Sequence, residues 1–297
     1  MTTVAPCFEP AVGRYITIDV EGRRNRVYVE QAGEGIPLLC LHTAGADSRQ
    51  YRALMNDERL LSQYRVIAFD LPYHGKSSPP EGWERDDYLL TSDRYVATVM
   101  KVIEALGIDR PIVMGCSIGG RAVLHLALRH GPKFRAAIGL QSGLHAESVF
   151  NAQYSDEAIM NRPEAHGGEM CSMLISGLIG PEAPHKDRWE TIWHYMQGGP
   201  GVFAGDLYYY FDDGDLRNGL VANIDTAVCP LYLLSGEYDY SAPPEAAEEV
   251  ARHVAGAKYS LMPGLGHFPM SEDPERFLGY LRPVLDEIRA RESGVAA

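Results

Sequence analysis

The stretch Gly115-Cys116-Ser117-Ile118-Gly119-Gly120 decides the interpretation of this chain, because of the segments on either side of it. The apolar run at 111–114 is typical of a short buried strand, and the segment 121–128 is typical of a helix. A G-x-S-x-G pattern between a strand and a helix predicts a sharp turn that exposes the serine hydroxyl at the end of a sheet. Glycines are needed in such a turn because a Cβ would strike the neighbouring strand or helix. Ser117 is therefore the first candidate nucleophile.

Continuous apolar runs along the chain are typical of strands that are buried on both faces. Such runs are 37–41 and 66–69; further strands are predicted at 136–140, 231–234 and 259–262, and two alternating strands at 15–20 and 26–30 come first. Helical patterns lie between them at 49–61, 91–106, 121–128, 244–254 and 271–288. This alternation predicts an α/β protein with a mostly parallel central sheet that is covered by helices on both faces.

The pattern changes between residues 144 and 222, where no run is convincing as a buried strand. The segment is rich in aromatic residues and methionine, and proline and glycine divide it into short predicted helices. We therefore predict an inserted helical cap at 144–222 and a core domain formed by 1–143 and 223–297. The alternative is that 144–222 simply adds to the core.

Composition limits the function. A formal net charge of −13 argues against nucleic acid or an anionic membrane surface as the main partner, because both need a basic face. The five cysteines are scattered, odd in number and without a C-x-x-C pair, which fits a reduced compartment. Without a signal-peptide pattern or an apolar run of membrane-spanning length, the sequence predicts a cytoplasmic protein.

Three candidate catalytic residues, Ser117, Asp239 and His267, each come just after a predicted strand. Ligands of open parallel sheets bind beyond the carboxyl ends of the strands, so the three are expected at one site. A serine hydroxyl needs a base to take its proton, and imidazole suits this role near neutral pH. A carboxylate orients the imidazole and stabilises its charged form. Glu237 is the alternative to Asp239 as that carboxylate.

The chain resembles the α/β-hydrolase superfamily along almost its whole length, and the chain order Ser…Asp…His is the order in that fold. The resemblance implies an α/β-hydrolase fold and a capped serine hydrolase of the carboxylesterase, enol-lactonase or carbon–carbon hydrolase branch. Ser117 disfavours the haloalkane dehalogenases and epoxide hydrolases, which carry an aspartate there. The motifs are His42-Thr43-Ala44-Gly45, Asp70-Leu71-Pro72-Tyr73-His74-Gly75-Lys76-Ser77, the 115–120 turn, and Gly266-His267 followed by Glu272-Asp273-Pro274.

By the same resemblance, the backbone N–H groups of Ala44 and Ile118 form an oxyanion hole for the attacked carbonyl. The chain departs from the commoner His-Gly pair by placing Thr43 after His42, so the Thr43 hydroxyl is a further candidate contact. A His-Gly-Gly-Gly run is absent, which disfavours the lipase and hormone-sensitive-type esterase branches.

Substrate contacts are predicted from the loop after the third strand and from the cap. They are His42, Thr43, His145, Trp193 and Tyr209, with His166 and His194 as further cap candidates. The alternative for the loop histidines, His74 included, is that they support the loop, and for the cap residues that they form the cap's own core. We expect no metal and no cofactor, since neither ligand spacing nor a nucleotide loop is found.

The sequence thus predicts hydrolysis of a small-to-medium carboxylic ester or lactone through an acyl-enzyme on Ser117. One alternative is carbon–carbon bond hydrolysis of a vinylogous keto acid or β-diketone with the same three residues. A second is a non-catalytic ligand receptor or scaffold of the same fold. The expected partner is a small-molecule substrate, and a homodimer is left open.

Overall fold

The computed structural model describes residues 7–147 and 167–292, and within them eight strands form one sheet in the order β1-β2-β4-β3-β5-β6-β7-β8. The pairs β1–β2 and β2–β4 are antiparallel, and the other five pairs are parallel. The predicted mostly parallel α/β sheet is therefore confirmed. The strands are β1 (Val12–Val20), β2 (Arg23–Ala32), β3 (Ile36–Leu41), β4 (Tyr64–Phe69), β5 (Ile112–Cys116), β6 (Ala136–Leu140), β7 (Leu231–Gly236) and β8 (Lys258–Met262).

Helices lie on both faces of this sheet. The described ones are α1 (Glu58–Leu61), α2 (Ser92–Leu106), α3 (Ile118–His130), α4 (Gly167–Ser176), α5 (His185–Tyr195), α6 (Val202–Tyr208), α7 (Pro244–His253), α8 (Pro269–Glu272) and α9 (Pro274–Glu292). Strand β5 shows why its sequence is apolar throughout: Val113 belongs to the core cluster that includes α2, α3 and α7, while Ile112 and Met114 belong to the cluster that includes α1 and α9. A strand with two buried faces has no polar side.

The predicted helix at 49–61 is wrong, because this segment is divided into two 3₁₀ turns and the short helix α1. Two aspartates explain why the segment does not form one continuous helix. The side chain of Asp47 accepts the N–H of Arg49, and that of Asp57 accepts the N–H of Leu60. Each carboxylate starts a new turn, so the helical pattern does not continue through the segment.

The described part of the predicted cap contains α4, α5 and α6 and a π-helical turn at Tyr209–Asp213, without a strand. Helices α4 and α5 pack around Ile175 and Tyr195, which share a small cluster with Phe268 beside His267. Tyr209 and Tyr210 instead join the large core cluster of the sheet. The division into 1–143, 223–297 and 144–222 stays a prediction, and 148–166 lies outside the described residues. No described helix has both the length and the apolar character of a membrane span.

Candidate active site

Ser117 lies between β5 and α3 in a turn with φ of 58° and ψ of −116°. A non-glycine residue with positive φ is uncommon and strained, and such residues cluster at functional sites. The flanking glycines allow the turn: a Cβ on Gly115 would overlap the carbonyl oxygen of Gly119, and one on Gly119 would lie 2.5 Å from that of Leu41. The Ser117 N–H donates to the carbonyl of Leu140 at 3.1 Å, which fixes the turn to β6.

His267 and Asp239 form a buried pair, with 2.8 Å between Nδ1 of the imidazole and Oδ2 of the carboxylate. The other carboxylate oxygen, Oδ1, accepts the backbone N–H groups of Ser241 at 2.8 Å and Ala242 at 3.0 Å. These two bonds fix the orientation of the carboxylate. With Nδ1–H donating to Asp239, Nε2 of His267 is the ring atom left to accept a proton.

The loop that carries His267 is fixed by a buried carboxylate, Glu272. Its oxygens accept the backbone N–H groups of Gly266, of Phe268 at 3.2 Å and of Gly180 at 3.3 Å. Burial raises the pKa of Glu272 to about 7, against the lowering effect of these three bonds. Glu272 therefore ties the segments on both sides of His267 to the chain that follows α4.

Two further side chains join this loop to the sheet. Gln141 donates from Nε2 to the carbonyl of Gly266 at 2.7 Å, and its Oε1 accepts the N–H of Gly236 at 2.9 Å. Cys116 donates its thiol to the carbonyl of His267 at 3.1 Å. Because Cys116 directly precedes Ser117, this bond places His267 next to the turn that carries the candidate nucleophile.

The loop from His42 to Asp47 lies against the start of α3, because a Cβ on Gly119 would be only 3.0 Å from the carbonyl oxygen of His42. The predicted oxyanion donors, Ala44 and Ile118, therefore belong to adjacent segments of chain. The N–H groups on either side of Ala44 are fixed by distant side chains. Thr43 N–H donates to Gln50 Oε1 at 3.1 Å, and Gly45 N–H donates to Asp206 Oδ2 at 2.8 Å.

His42 uses both of its ring nitrogens to hold this loop. Its Nε2 accepts the N–H of Leu71 at 3.1 Å, so Nδ1 carries the proton and donates to the carbonyl of Thr43 at 2.8 Å. Burial lowers the pKa of His42 to about 4 and keeps the ring neutral, with a smaller contribution from His74. The predicted substrate contact through the His42 ring is therefore corrected to a loop support.

The Thr43 hydroxyl is engaged by two neighbouring side chains. It is hydrogen-bonded to the hydroxyl of Tyr195 on α5, and Gln50 Nε2 donates to it at 3.0 Å. Both Thr43 and Tyr195 are buried. Because Thr43 stands where the commoner pair has a glycine, the loop has a hydroxyl that hydrogen-bonds to Tyr195 on α5.

The remaining predicted contacts lie in different surroundings. Trp193 is 54% exposed on α5, and Tyr209 is fully buried with its ring 5.5 Å from that of Tyr95. The burial of Tyr209 agrees with the alternative that it belongs to the core, and the substrate contact of Trp193 stays a prediction. His145 is half-buried, with Nε2 3.9 Å from Glu147, and His166 lies outside the described residues.

Sequence reasoning missed two buried residues near Ser117 and its loop, Arg121 and Asp206, and it named Tyr210 only within the aromatic run 208–211 of the predicted cap. Asp206 had no local signal, since it reaches Gly45 from 161 residues further along the chain. Arg121 did have one, because it directly follows the quoted motif and lies on the first turn of α3, four residues after Ser117. Across 7–147 and 167–292, no group of three or more histidine, cysteine or acidic side chains could hold a metal ion.

Three curated relatives match most of the chain. A putative non-heme haloperoxidase of Mycobacterium phage D29 is 33% identical over 84% of this chain and 87% of its own length. An (R)-3-hydroxydecanoyl-ACP:CoA transacylase of Pseudomonas putida is 25% identical over 92% and 93% of the two chains. A 2-hydroxy-6-oxo-6-(2'-aminophenyl)hexa-2,4-dienoic acid hydrolase of Metapseudomonas resinovorans is 25% identical over 88% and 89%.

Solved structures share the fold of this chain. A thermophilic esterase from Thermogutta terrifontis superimposes with a TM-score of 0.77 at 20% identity, covering 93% of this chain and 99% of its own. The family model described as the alpha/beta hydrolase fold matches residues 36–274, which include Ser117, Asp239 and His267. The chain therefore belongs to the alpha/beta hydrolase fold family.

Proposed function

We propose that this chain is a serine hydrolase that cleaves a small-to-medium carboxylic ester or lactone through an acyl-enzyme on Ser117. The observation that carries the proposal is the buried 2.8 Å pair between His267 and Asp239, bound through Cys116 to the strained turn of Ser117. The esterase fold neighbour is consistent with this chemistry.

The chemistry follows from the arrangement. Ser117 Oγ attacks the carbonyl carbon while His267 Nε2 takes its proton, and Asp239 stabilises the imidazolium that forms. The backbone N–H groups of Ala44 and Ile118 stabilise the negative charge on the carbonyl oxygen. The imidazolium then gives its proton to the leaving alkoxide as the bond to the acyl group breaks. A water molecule, deprotonated by the same imidazole, releases the acid and restores Ser117.

Intact mass after treatment with a fluorophosphonate tests the nucleophile directly. We expect one adduct on the wild type, none on Ser117→Ala, and slow labelling of His267→Ala. Ser62→Ala, which changes an exposed serine, is the matched control and should be labelled like the wild type. An adduct that persists on Ser117→Ala, or a wild type without any adduct, would refute the acyl-enzyme.

Carbon–carbon hydrolysis is a second candidate, favoured by the dienoic acid hydrolase of Metapseudomonas resinovorans, which matches 88% of this chain and 89% of its own length. It would use the same Ser117, Asp239 and His267, so labelling does not separate the two. The two activities are separated by comparing the hydrolysis of ester and β-diketone probes of matched size, supplied at equal concentration. If kcat/KM is higher for the diketone than for the ester, the diketone becomes the proposed substrate class.

A further inference from the structure

Arg121 lies one helical turn beyond Ser117, and its backbone N–H donates to the Ser117 carbonyl at 2.8 Å. Side chains of an α-helix lean toward its N-terminus, so the Arg121 side chain leans toward the end of α3 that carries Ser117. Arg121 has no exposed surface and is the largest fully buried side chain among the described residues. A guanidinium is thus enclosed beside the candidate nucleophile.

This guanidinium has donors without partners. Nη1 donates to the carbonyl of Gly214 at 3.2 Å, but the buried Nε and Nη2 atoms make no hydrogen bond. None of the described carboxylates lies within ion-pair distance of the Arg121 guanidinium. The nearby Asp215 pairs with Arg217 instead. Burial lowers the pKa of Arg121, yet an arginine side chain keeps its proton in proteins. Buried charges are normally paired, so the arrangement lacks an anion.

Tyr210 connects this cation to the catalytic residues. The Arg121 guanidinium carbon lies 5.2 Å from the centre of the Tyr210 ring. The Tyr210 hydroxyl is buried without a hydrogen-bond partner of normal geometry, and the Ser117 and Ser241 hydroxyls are close enough to affect its pKa. Burial is the largest effect and raises that pKa, so the phenol stays a donor. Nε and Nη2 therefore offer two unused donors beside the Tyr210 ring, whose hydroxyl lies near that of Ser117.

We propose that Arg121 and Tyr210 form a subsite for a carboxylate, and that the substrate is an ester or lactone that bears a free carboxylate group. The proposal rests on the proposed function for the bond that is cleaved. Nε and Nη2 are the edge of a guanidinium that binds both oxygens of one carboxylate, while Nη1 is held by Gly214. A carboxylate there would supply the missing counter-charge, and it would direct the ester group toward Ser117.

Kinetics with matched esters test the subsite. The probes are 4-nitrophenyl hydrogen glutarate and its uncharged methyl ester, 4-nitrophenyl methyl glutarate. We expect the wild type to favour the anion by about tenfold or more in kcat/KM, and the anion-to-neutral ratio to fall about thirtyfold in Arg121→Met. Arg121→Lys should keep part of the ratio, and Tyr210→Phe should lower it. Arg217→Met, an exposed arginine on the same segment, is the control and should leave it unchanged.

A binding experiment separates the subsite from the chemistry. In the Ser117→Ala protein, calorimetry should detect binding of glutarate but not of glutaramide. Adding Arg121→Met should weaken the affinity for glutarate at least tenfold. If Ser117 is not labelled by the fluorophosphonate, the proposed function fails while this binding still supports the subsite. If the wild type shows no preference for the anionic ester and glutarate does not bind, the subsite is wrong and the hydrolase stands. Should Arg121→Met not fold, Arg121→Lys and Tyr210→Phe give the same decision.

Discussion

Asp206 on α6 accepts the backbone N–H of Gly45 at 2.8 Å, directly after the predicted oxyanion donor Ala44. The same carboxylate bonds Nε2 of His74 at 2.8 Å and the hydroxyl of Tyr88 at 2.7 Å, and it is fully buried. A single side chain from the predicted cap thus holds the loop that carries the predicted oxyanion donor Ala44. The loop and the helix above it are expected to behave as one unit.

Asp206→Asn should therefore destabilise the protein by about 3 kcal/mol near pH 6, because it leaves the buried His74 without its counter-charge. Burial lowers the pKa of His74, but the charge of Asp206 and the bond to it outweigh burial, so the pKa lies above its ordinary 6.5. A raised histidine pKa gives stability below pH 6.5 that is lost as pH rises through the folded-state pKa. The loss in the variant should be smaller at pH 9.

Urea unfolding at pH 6 and pH 9 measures this difference. The exposed Asp212 on the adjoining turn provides a matched control, and Asp212→Asn should leave the free energy of unfolding within about 0.5 kcal/mol of the wild type. An equal loss for Asp206→Asn at both pH values would show that the ion pair with His74 does not contribute.

Gly115→Ala should destabilise the protein by about 3 kcal/mol, because its Cβ would overlap the backbone of Gly119 within the turn. Gly279 provides a matched control in α9, where a Cβ would have no neighbour within 4 Å. Gly279→Ala should stabilise the protein by about 0.5 to 1 kcal/mol through helix propensity. Thermal or urea unfolding of both variants checks the pair, and similar effects in the two would contradict the steric argument.

Local patterns predicted the sheet and the core of the candidate site well, since each rests on neighbouring residues. The run 111–114 is apolar because β5 has two buried faces, and the glycines of 115–120 are needed for the turn that follows it. The pair between His267 and Asp239 was also predicted, because each comes just after a strand of the same sheet.

Contacts between distant segments were not predictable in the same way. Tyr195 lies 152 residues beyond Thr43, and no local pattern indicates that their hydroxyls meet. Tyr209 and Tyr210 are adjacent, chemically identical and both buried, so composition could not indicate that Tyr209 packs against Tyr95 while the Tyr210 hydroxyl lies near Ser117.

The bond between Tyr195 and Thr43 should contribute about 1 kcal/mol to stability. A double-mutant cycle with Tyr195→Phe, Thr43→Val and the combined variant isolates it, since each single change removes the same bond. We expect a coupling energy near that value from urea unfolding. Tyr208→Phe, which changes a partly exposed tyrosine on α6, is the control, and its combination with Thr43→Val should be additive. Additive effects of Tyr195→Phe and Thr43→Val would count against the bond.

Glu272→Gln should remove a pH dependence of stability. Burial raises the pKa of Glu272 to about 7 from an ordinary 4.5, so the folded state binds a proton that the unfolded state has released between these values. The stability linked to this group is therefore complete below pH 4.5 and is lost as pH rises through 7. A glutamine cannot titrate, so the free energy of unfolding should fall less steeply between pH 5 and pH 7 in the variant.

The same variant should also lower kcat. An amide offers one oxygen where the carboxylate offers two, so the N–H of Phe268 loses its acceptor and the His267 loop loses a bond on one side. We expect a fall of about tenfold on an aryl ester, with Glu275→Gln, an exposed neighbour, close to the wild type. Because a purely structural role would change stability alone, a Glu272→Gln protein with normal kcat would show that Glu272 does not position His267.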